Sequence, residues 1–220
     1  MKTYETHSVD KMILLDIDAS SQGRSIDNFI EKEISQHCFM PLTIGGGITS
    51  CLEIENLLSN GADKISLNTA ALGNLGFVKE AVEEFGSSCI TISIDLKNAN
   101  QPKIYNKNIS SEFGVFEFIK IMEDSGVGEF FICDIDREGT QLGPNYKLAE
   151  LMRNNINKPL IYAGGIAAPD DCADLISNSD VDAIGCSSIF HFTDATPDDC
   201  RLSLLKRGVP ARLTLDKINC

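Results

Sequence analysis

The chain has 220 residues, of which 43% are hydrophobic, and its formal net charge is −13. This length fits one large domain or two small ones, and the hydrophobic content can fill a sizeable core. Because nucleic acids and anionic membranes bind clustered Lys and Arg, this charge argues against both kinds of partner. The chain has no apolar run of membrane-spanning length, and residues 1–7 lack the apolar core of a signal peptide, which predicts a cytoplasmic protein.

Short apolar runs alternate with helix-like stretches along the chain, a pattern typical of a parallel sheet covered by helices. The seven predicted strands are residues 12–16, 40–44, 64–67, 90–95, 129–133, 159–163 and 182–186. The clearest helices are residues 26–36, 50–60, 75–84, 116–125, 146–154 and 169–177. Residues 98–114 break this rhythm as a long polar loop, either functional or a surface insertion, in which Lys103-Ile104-Tyr105 predicts a short hairpin strand.

Three segments of the first half recur in the second half, in the same order and at nearly the same spacing. The matched segments are 13–18 with 131–136, 44–48 with 162–166, and 64–69 with 183–188. A single long offset indicates a duplicated half-domain. Seven visible βα units, plus one that the repeat places before Met1, predict a phosphate-binding (β/α)8 TIM barrel. We expect a single domain, residues 1–220, that lacks its first βα unit; an open doubly wound sheet is the alternative.

Glycine-rich loops follow equivalent strands in the two halves. Gly45-Gly46-Gly47 precedes one predicted helix and Gly164-Gly165 precedes another. Glycine lets the backbone approach an anion closely at a helix N-terminus, although either loop alone is equally typical of a structural turn. The next strands end in Asn68-Thr69 and in Ser187-Ser188, respectively. Because both halves carry this combination, we predict two phosphate sites at the barrel mouth and a ligand with a phosphate at each end.

Carboxylates stand at the predicted C-terminal ends of strands, where barrel enzymes carry their catalytic groups. They are Asp16, Asp95, Asp134 and Asp136. Asp95 is the best candidate for a general acid/base, because its counterpart in the other half would face it across the barrel axis. Asp16 and Asp134 fit the capping of loops at least as well.

Charged residues mark the opposite mouth of the predicted barrel. Lys64 and Glu129 begin strands, and Lys11 lies just ahead of another. They predict either surface ion pairs or a charged ring around a passage. The eight cysteines form no Cys-x-x-Cys pair, and the three histidines have no ligand spacing with them, so we expect neither a metal nor another cofactor.

Five motifs together resemble one enzyme family. They are Asp-Ile-Asp-Ala-Ser at 16–20, Gly-Gly-Gly-Ile at 45–48, Gly-Ala-Asp-Lys-Ile-Ser-Leu-Asn-Thr-Ala-Ala at 61–71, Asp-Arg-Glu-Gly-Thr at 136–140 and Ser-Ile-Phe-His-Phe at 188–192. Over about residues 9–213 the chain resembles the cyclase (synthase) subunit of imidazole glycerol phosphate synthase. The resemblance implies a barrel that receives ammonia from a glutaminase subunit docked on its bottom face. It also implies conversion of a bisphosphorylated aminoimidazole carboxamide ribotide into imidazole glycerol phosphate and aminoimidazole carboxamide ribotide, in L-histidine biosynthesis.

The resemblance also implies roles for individual residues. Asp95 matches the family's acid/base aspartate, and Lys64 and Glu129 match a charged ring at the ammonia entrance. One phosphate site is matched by Gly47, Asn68 and Thr69. The other is matched by Gly139, Gly165, Ser187 and Ser188.

This sequence also departs from the family pattern. Lys11 takes the place of a ring glutamate and Glu138 that of an aspartate, and the strand expected to be missing would carry the second catalytic aspartate. These departures resemble a paralogous branch found with sugar amidation in surface-polysaccharide and flagellin glycan synthesis. A truncated, non-catalytic scaffold that binds the glutaminase is the third hypothesis.

Overall fold

The computed structural model describes residues 9–26 and 38–212. The strands are β1 (Met12–Leu15), β2 (Leu42–Gly45), β3 (Lys64–Leu67), β4 (Ile90–Lys97), β5 (Lys103–Ile104), β6 (Glu129–Asp134), β7 (Leu160–Ala163) and β8 (Ala183–Gly185). The helices are α1 (Cys51–Ser59), α2 (Thr69–Gly73), α3 (Leu75–Phe85), α4 (Val115–Asp124), α5 (Tyr146–Arg153), α6 (Pro169–Ser179), α7 (Ser188–Phe192) and α8 (Pro197–Lys206). Seven strands are parallel, in the order β1-β2-β3-β4-β6-β7-β8, and β5 pairs antiparallel with β4.

Most predicted elements are confirmed. All seven strands, and the five predicted helices that fall within the described residues, are present with ends within two residues of the predicted ones. The predicted helix at 26–36 lies outside the described residues except for Ile26, and β5 confirms the short hairpin strand. Helix α8 was not predicted. Its buried face carries Asp198, Arg201 and Ser203, and these polar residues weaken the apolar periodicity that marks a helix.

An ion pair across the interior shows that the sheet is curled. Lys11, just ahead of β1, pairs with Glu129 of β6, and Lys64 Nζ of β3 lies 3.0 Å from Glu129 Oε2. In a flat sheet, β1 and β6 would lie four strand spacings apart, about 19 Å. The contact therefore requires the strands to wrap around a common interior, and the predicted TIM-barrel-type fold is confirmed.

Side chains join the two ends of the sheet. Leu15 of β1 and Ala183 of β8 both pack against an interior apolar cluster that contains Phe131 and Cys133 of β6. Arg201 Nη2 of α8 lies 3.4 Å from Asp10 Oδ2, just ahead of β1. Within residues 9–26 and 38–212, no strand pairs with the outer edges of β1 and β8, and both strands are half-buried. That a further βα unit belongs before β1 stays a prediction.

The internal repeat extends to individual hydrogen bonds. The Leu42 amide at the start of β2 donates to Asp63 Oδ2 at 2.7 Å, and the Leu160 amide at the start of β7 donates to Asp182 Oδ2 at 2.8 Å. In each half a carboxylate that precedes one strand therefore holds the first residue of its neighbour. The two halves share local geometry as well as sequence.

The glycine turns after β2 and β7 are also equivalent. Gly47 has φ +66 and Gly165 φ +86, and a Cβ atom at these positions would lie 1.8 and 2.3 Å from a backbone oxygen. Two other glycines have nearly the same φ but open space around them: Gly23 at +64 and Gly86 at +87. Gly23 and Gly86 therefore share the positive φ of Gly47 and Gly165 but not their close contact with a backbone oxygen.

We expect Gly47→Ala and Gly165→Ala to destabilise the protein more than Gly23→Ala and Gly86→Ala. All four incur the cost of placing an alanine at a positive φ, about 1–3 kcal/mol. The first two must also displace backbone, which adds about 2–3 kcal/mol. Equilibrium unfolding in urea measures the difference. If Gly47→Ala lost no more unfolding free energy than Gly23→Ala, and Gly165→Ala no more than Gly86→Ala, the close backbone contacts in the two turns would be contradicted.

Candidate functional site

A cavity of about 1560 Å³ extends through the barrel interior, from the loops after the strands to Lys11 ahead of β1, and continues past β8 to residues of α6 and α8. Among the predicted site residues, those that line it are Gly47, Asn68, Thr69, Asp95 and Ser187. Those that do not line it are Lys64, Glu129, Gly139, Gly165 and Ser188. The structure thus brings the candidate acid/base and all three residues of the first predicted phosphate site onto one surface.

Asp95 lies at the mouth of this cavity with an amide donor beside it. Asn68 Nδ2 donates a hydrogen bond to Asp95 Oδ2 at 3.1 Å. Burial raises the pKa of Asp95; the Asn68 hydrogen bond opposes this rise and the nearby charge of Glu138 adds to it. A carboxyl group with a raised pKa exchanges protons more readily near neutral pH, as a general acid/base must.

Two further ionisable groups share the mouth with Asp95, and neither was assigned a role from the sequence. Cys133 is the register partner of Asp95 on β6, and its Sγ lies 3.9 Å from Glu138 Oε2. Burial raises the pKa of Glu138 and of the Cys133 thiol. The signal for Cys133 was present in the strand alternation, because two residues in register share a face.

The other carboxylate candidates hold the surrounding loops. Asp16 lies 2.6 Å from Arg24 and accepts from the backbone amides of residues 18 and 19, and Arg24 holds the pKa of Asp16 below its usual value. Asp134 is fully buried in the helix-facing layer, where the Tyr162 hydroxyl donates to it at 3.2 Å. Asp136 accepts the Asn98 amide at 2.7 Å. These contacts fit the capping interpretation.

The polar pairs after β3 and β8 begin equivalent short helices. Asn68 precedes α2 with φ −129 and ψ −83, and Ser187 precedes α7 with φ −135 and ψ −69. Thr69 and Ser188 are the first residues of those helices, so their amide groups face the same end of the barrel. The two halves therefore present similar backbone donors, although Gly165 is buried beneath the loop that precedes α5.

At the opposite end, Glu129 joins groups from several strands. It is 8% exposed, pairs with Lys11 and Lys64, and accepts from the Thr91 hydroxyl at 3.0 Å. Burial alone would raise the pKa of Glu129, but its hydrogen bonds and attraction to the two lysines hold it below its usual value. Burial lowers the pKa of Lys11. A closely packed charged cluster thus lies at the N-terminal end of the strands.

A row of hydroxyl groups connects the two ends of the interior. Thr91, Ser93 and Asp95 alternate along β4 on its inner face, and Ser66 of β3 lies in register with Thr91. The three hydroxyl residues are buried. Thr91 touches Glu129, so polar groups extend from the charged cluster to Asp95 over about 13 Å. The alternation Ile-Thr-Ile-Ser-Ile-Asp was the available sequence signal.

Within the described ranges, one group offers metal-ligand spacing. The ligand atoms of Cys51, Glu80 and Glu84 lie within 4.8 Å of one another, on α1 and α3. None of the three lines the interior cavity. None of the described helices is long and apolar enough to cross a membrane.

Known proteins resemble this chain over nearly its whole length. The family model for "Histidine biosynthesis protein" matches residues 1–196. A Campylobacter jejuni subsp. jejuni protein named "Putative imidazole glycerol phosphate synthase subunit hisF2" is 38% identical over 214 residues, which cover 97% of this chain and 86% of that protein. A Lactococcus lactis subsp. cremoris protein named "Imidazole glycerol phosphate synthase subunit HisF" is 33% identical over 223 residues, covering 99% and 86%.

We expect Glu129→Gln to lower the free energy of unfolding by about 3 kcal/mol at pH 7, because it leaves two partly buried lysines without their carboxylate. The folded-state pKa of Glu129 is depressed, so the stabilisation is present above the unfolded value of 4.5 and is lost as the pH falls through the folded value. Urea unfolding from pH 7 to pH 3 measures this.

The matched control is Glu83→Gln. Glu83 pairs with Lys79 at 3.8 Å on the exposed face of α3, so its loss should cost less than about 0.5 kcal/mol. A Glu129 variant as stable as this control at pH 7 would show that the cluster does not stabilise the fold.

Proposed function

The chain belongs to the histidine biosynthesis protein family, and we propose that it acts in that family as an ammonia-dependent cyclase of the imidazole glycerol phosphate synthase type. Its substrate would be a bisphosphorylated aminoimidazole carboxamide ribotide. Its products would be imidazole glycerol phosphate and aminoimidazole carboxamide ribotide. The two relatives named as synthase subunits support this reaction.

The observation that carries the proposal is the position of Asp95. A mostly buried carboxyl group stands at the cavity mouth, at the end of a row of buried hydroxyls that starts at Glu129. Ammonia attacks carbon as a neutral molecule, because ammonium has no lone pair. Asp95 would take a proton from nitrogen as the new bond forms and return it to a leaving group. Its raised pKa suits both steps.

The phosphate groups of the substrate would bind to the loops of the two halves. Gly47, Asn68 and Thr69 would hold one phosphate. The residues that would hold the other are Gly139, Gly165, Ser187 and Ser188. Backbone amides at glycine turns and helix starts suit an anion, and the similar backbone angles at Asn68 and Ser187 support two equivalent sites.

A glutaminase subunit would dock on the face that carries the Glu129 cluster. Lys11, Lys64 and Glu129 lie at the N-terminal ends of the strands, opposite Asp95. Ammonia released there would pass along Thr91 and Ser93, whose hydroxyls can donate and accept hydrogen bonds. Both relatives are named as subunits, which supports an assembly with another chain.

Ammonia-dependent amidation of a sugar is the second candidate. It is favoured by the acidic mouth, where Glu138 and Cys133 lie close to Asp95 and Glu138 replaces the family's aspartate. Incubation of the protein with an ammonium salt and each substrate class separates the two candidates. Turnover of the ribotide supports cyclisation, whereas turnover of a keto sugar alone supports amidation.

We expect Asp95→Asn to reduce ammonia-dependent turnover of the ribotide by about 10²–10⁴-fold, because the amide cannot accept a proton from the reacting nitrogen. Turnover is measured with an ammonium salt and again with glutamine plus the glutaminase subunit. Asp18→Asn is the control, since this exposed carboxyl does not line the cavity. Near-normal turnover of the Asp95 variant, with the wild type active, would refute the assignment.

We expect phosphate or sulfate to bind at two positions related by the internal repeat, one near Thr69 and one near Ser188. Crystals soaked in phosphate test this directly, and density at neither loop would refute it. Because backbone amides dominate both sites, Ser188→Ala should weaken binding by only about 1 kcal/mol, the value of one hydrogen bond.

A further inference from the structure

The long loop after β4 returns to the mouth of the barrel. At the start of the loop, the Asn98 amide donates a hydrogen bond to Asp136. Further along, the Tyr105 amide donates to the Asp95 carbonyl at 2.7 Å. Lys97 Nζ lies 3.7 Å from the centre of the Tyr105 ring. These contacts place the next residue, Asn106, against the first residues of α2.

The orientation of the Asn106 amide follows from its backbone partners. Asn106 Oδ1 accepts from the backbone amides of Asn108 at 2.9 Å and Ile109 at 3.2 Å. A backbone N–H can only donate, so the atom facing both must be the oxygen. The NH2 group therefore faces α2, where it donates to Asn68 Oδ1 at 3.2 Å and to Thr69 Oγ1 at 2.9 Å.

The same logic fixes Asn68. Because its Oδ1 accepts from Asn106, its NH2 group faces Asp95 and donates to Oδ2 at 3.1 Å. A flipped Asn68 would set two NH2 groups against each other and an amide oxygen against the carboxylate. The order of donors thus runs from the loop backbone through Asn106 and Asn68 to Asp95.

We propose that Asn106 is a positioning residue that orients Asn68 and thereby holds Asp95 as a carboxylate. The inference rests on the acid/base role of Asp95 under the proposed function. The other described groups that bear on Asp95 are Glu138 and Cys133, and neither favours a negative charge there. Asn68 is the hydrogen-bond donor that does, and its direction depends on the loop.

The test measures the titration of the Asp95 carboxyl by ¹³C NMR on the ligand-free full chain, with the signal assigned by its loss in Asp95→Asn. Asn106→Asp keeps the acceptor for the two loop amides but cannot donate to Asn68. We expect it to raise the Asp95 midpoint by about one pH unit, the equivalent of one charge-assisted hydrogen bond. Asn108→Asp adds the same charge two residues away on an exposed side chain, and should shift the midpoint by less than about a third of that.

Two further variants separate the orientation of Asn68 from the added charge. Asn106→Ser is neutral and too short to reach Asn68, and should raise the midpoint in the same direction. In an Asn68→Ala background, Asn106→Asp should add no more than the Asn108→Asp control, because the intermediary is gone. An unchanged midpoint in both Asn106 variants, or a full shift without Asn68, would overturn the proposal. The titration needs no substrate, so its outcome is independent of the cyclase assay. An unchanged midpoint would overturn the role of Asn106 even if Asp95→Asn abolishes turnover, and an inactive wild type would overturn the proposed function even if the midpoint shifts.

Discussion

One buried carboxylate organises the interior of this barrel. Glu129 of β6 binds Lys11 ahead of β1 and Lys64 of β3, and a flat sheet would hold Lys11 too far from Glu129. A buried carboxylate without a positive partner is costly, so curling of the sheet and pairing of the charges support each other. Once the sheet is curled, the C-terminal ends of its strands surround a single cavity. The proposed reaction depends on that cavity.

The alternation of β4 then places apolar residues against the helices and polar residues toward the barrel interior. Ile92 and Ile94 point outward, where they are fully buried under the helices, while Ser93 and Asp95 point inward. A single period of two residues therefore builds the main core and the polar interior together. It also explains Asp134: since Cys133 faces the interior, its neighbour must face the helices and Tyr162.

Local patterns in the sequence predicted the elements and the position of Asp95, because apolar periodicity and strand ends are properties of neighbouring residues. Contacts between distant segments were beyond such patterns. Asn106 lies in a polar loop with no periodicity, and its partners Asn68 and Thr69 are 38 and 37 residues away. Helix α8 was missed for a related reason, since its buried Arg201 is held by Asp198 and Asp10 instead of by apolar packing.

The duplication provides symmetry in the backbone but not in the side chains. Asn68 and Ser187 begin equivalent helices with similar angles, as two phosphate groups on one ligand would require. Only the first of these has a side chain long enough to bridge to a neighbouring strand, and it does so to Asp95. In the second half, Gln141 donates to the Ser188 carbonyl at 3.2 Å, a contact that serves the loop. Under the proposed function, backbone amides of both halves would bind phosphate, whereas the hydrogen bond from a helix-start side chain to Asp95 belongs to the half where the long loop meets α2.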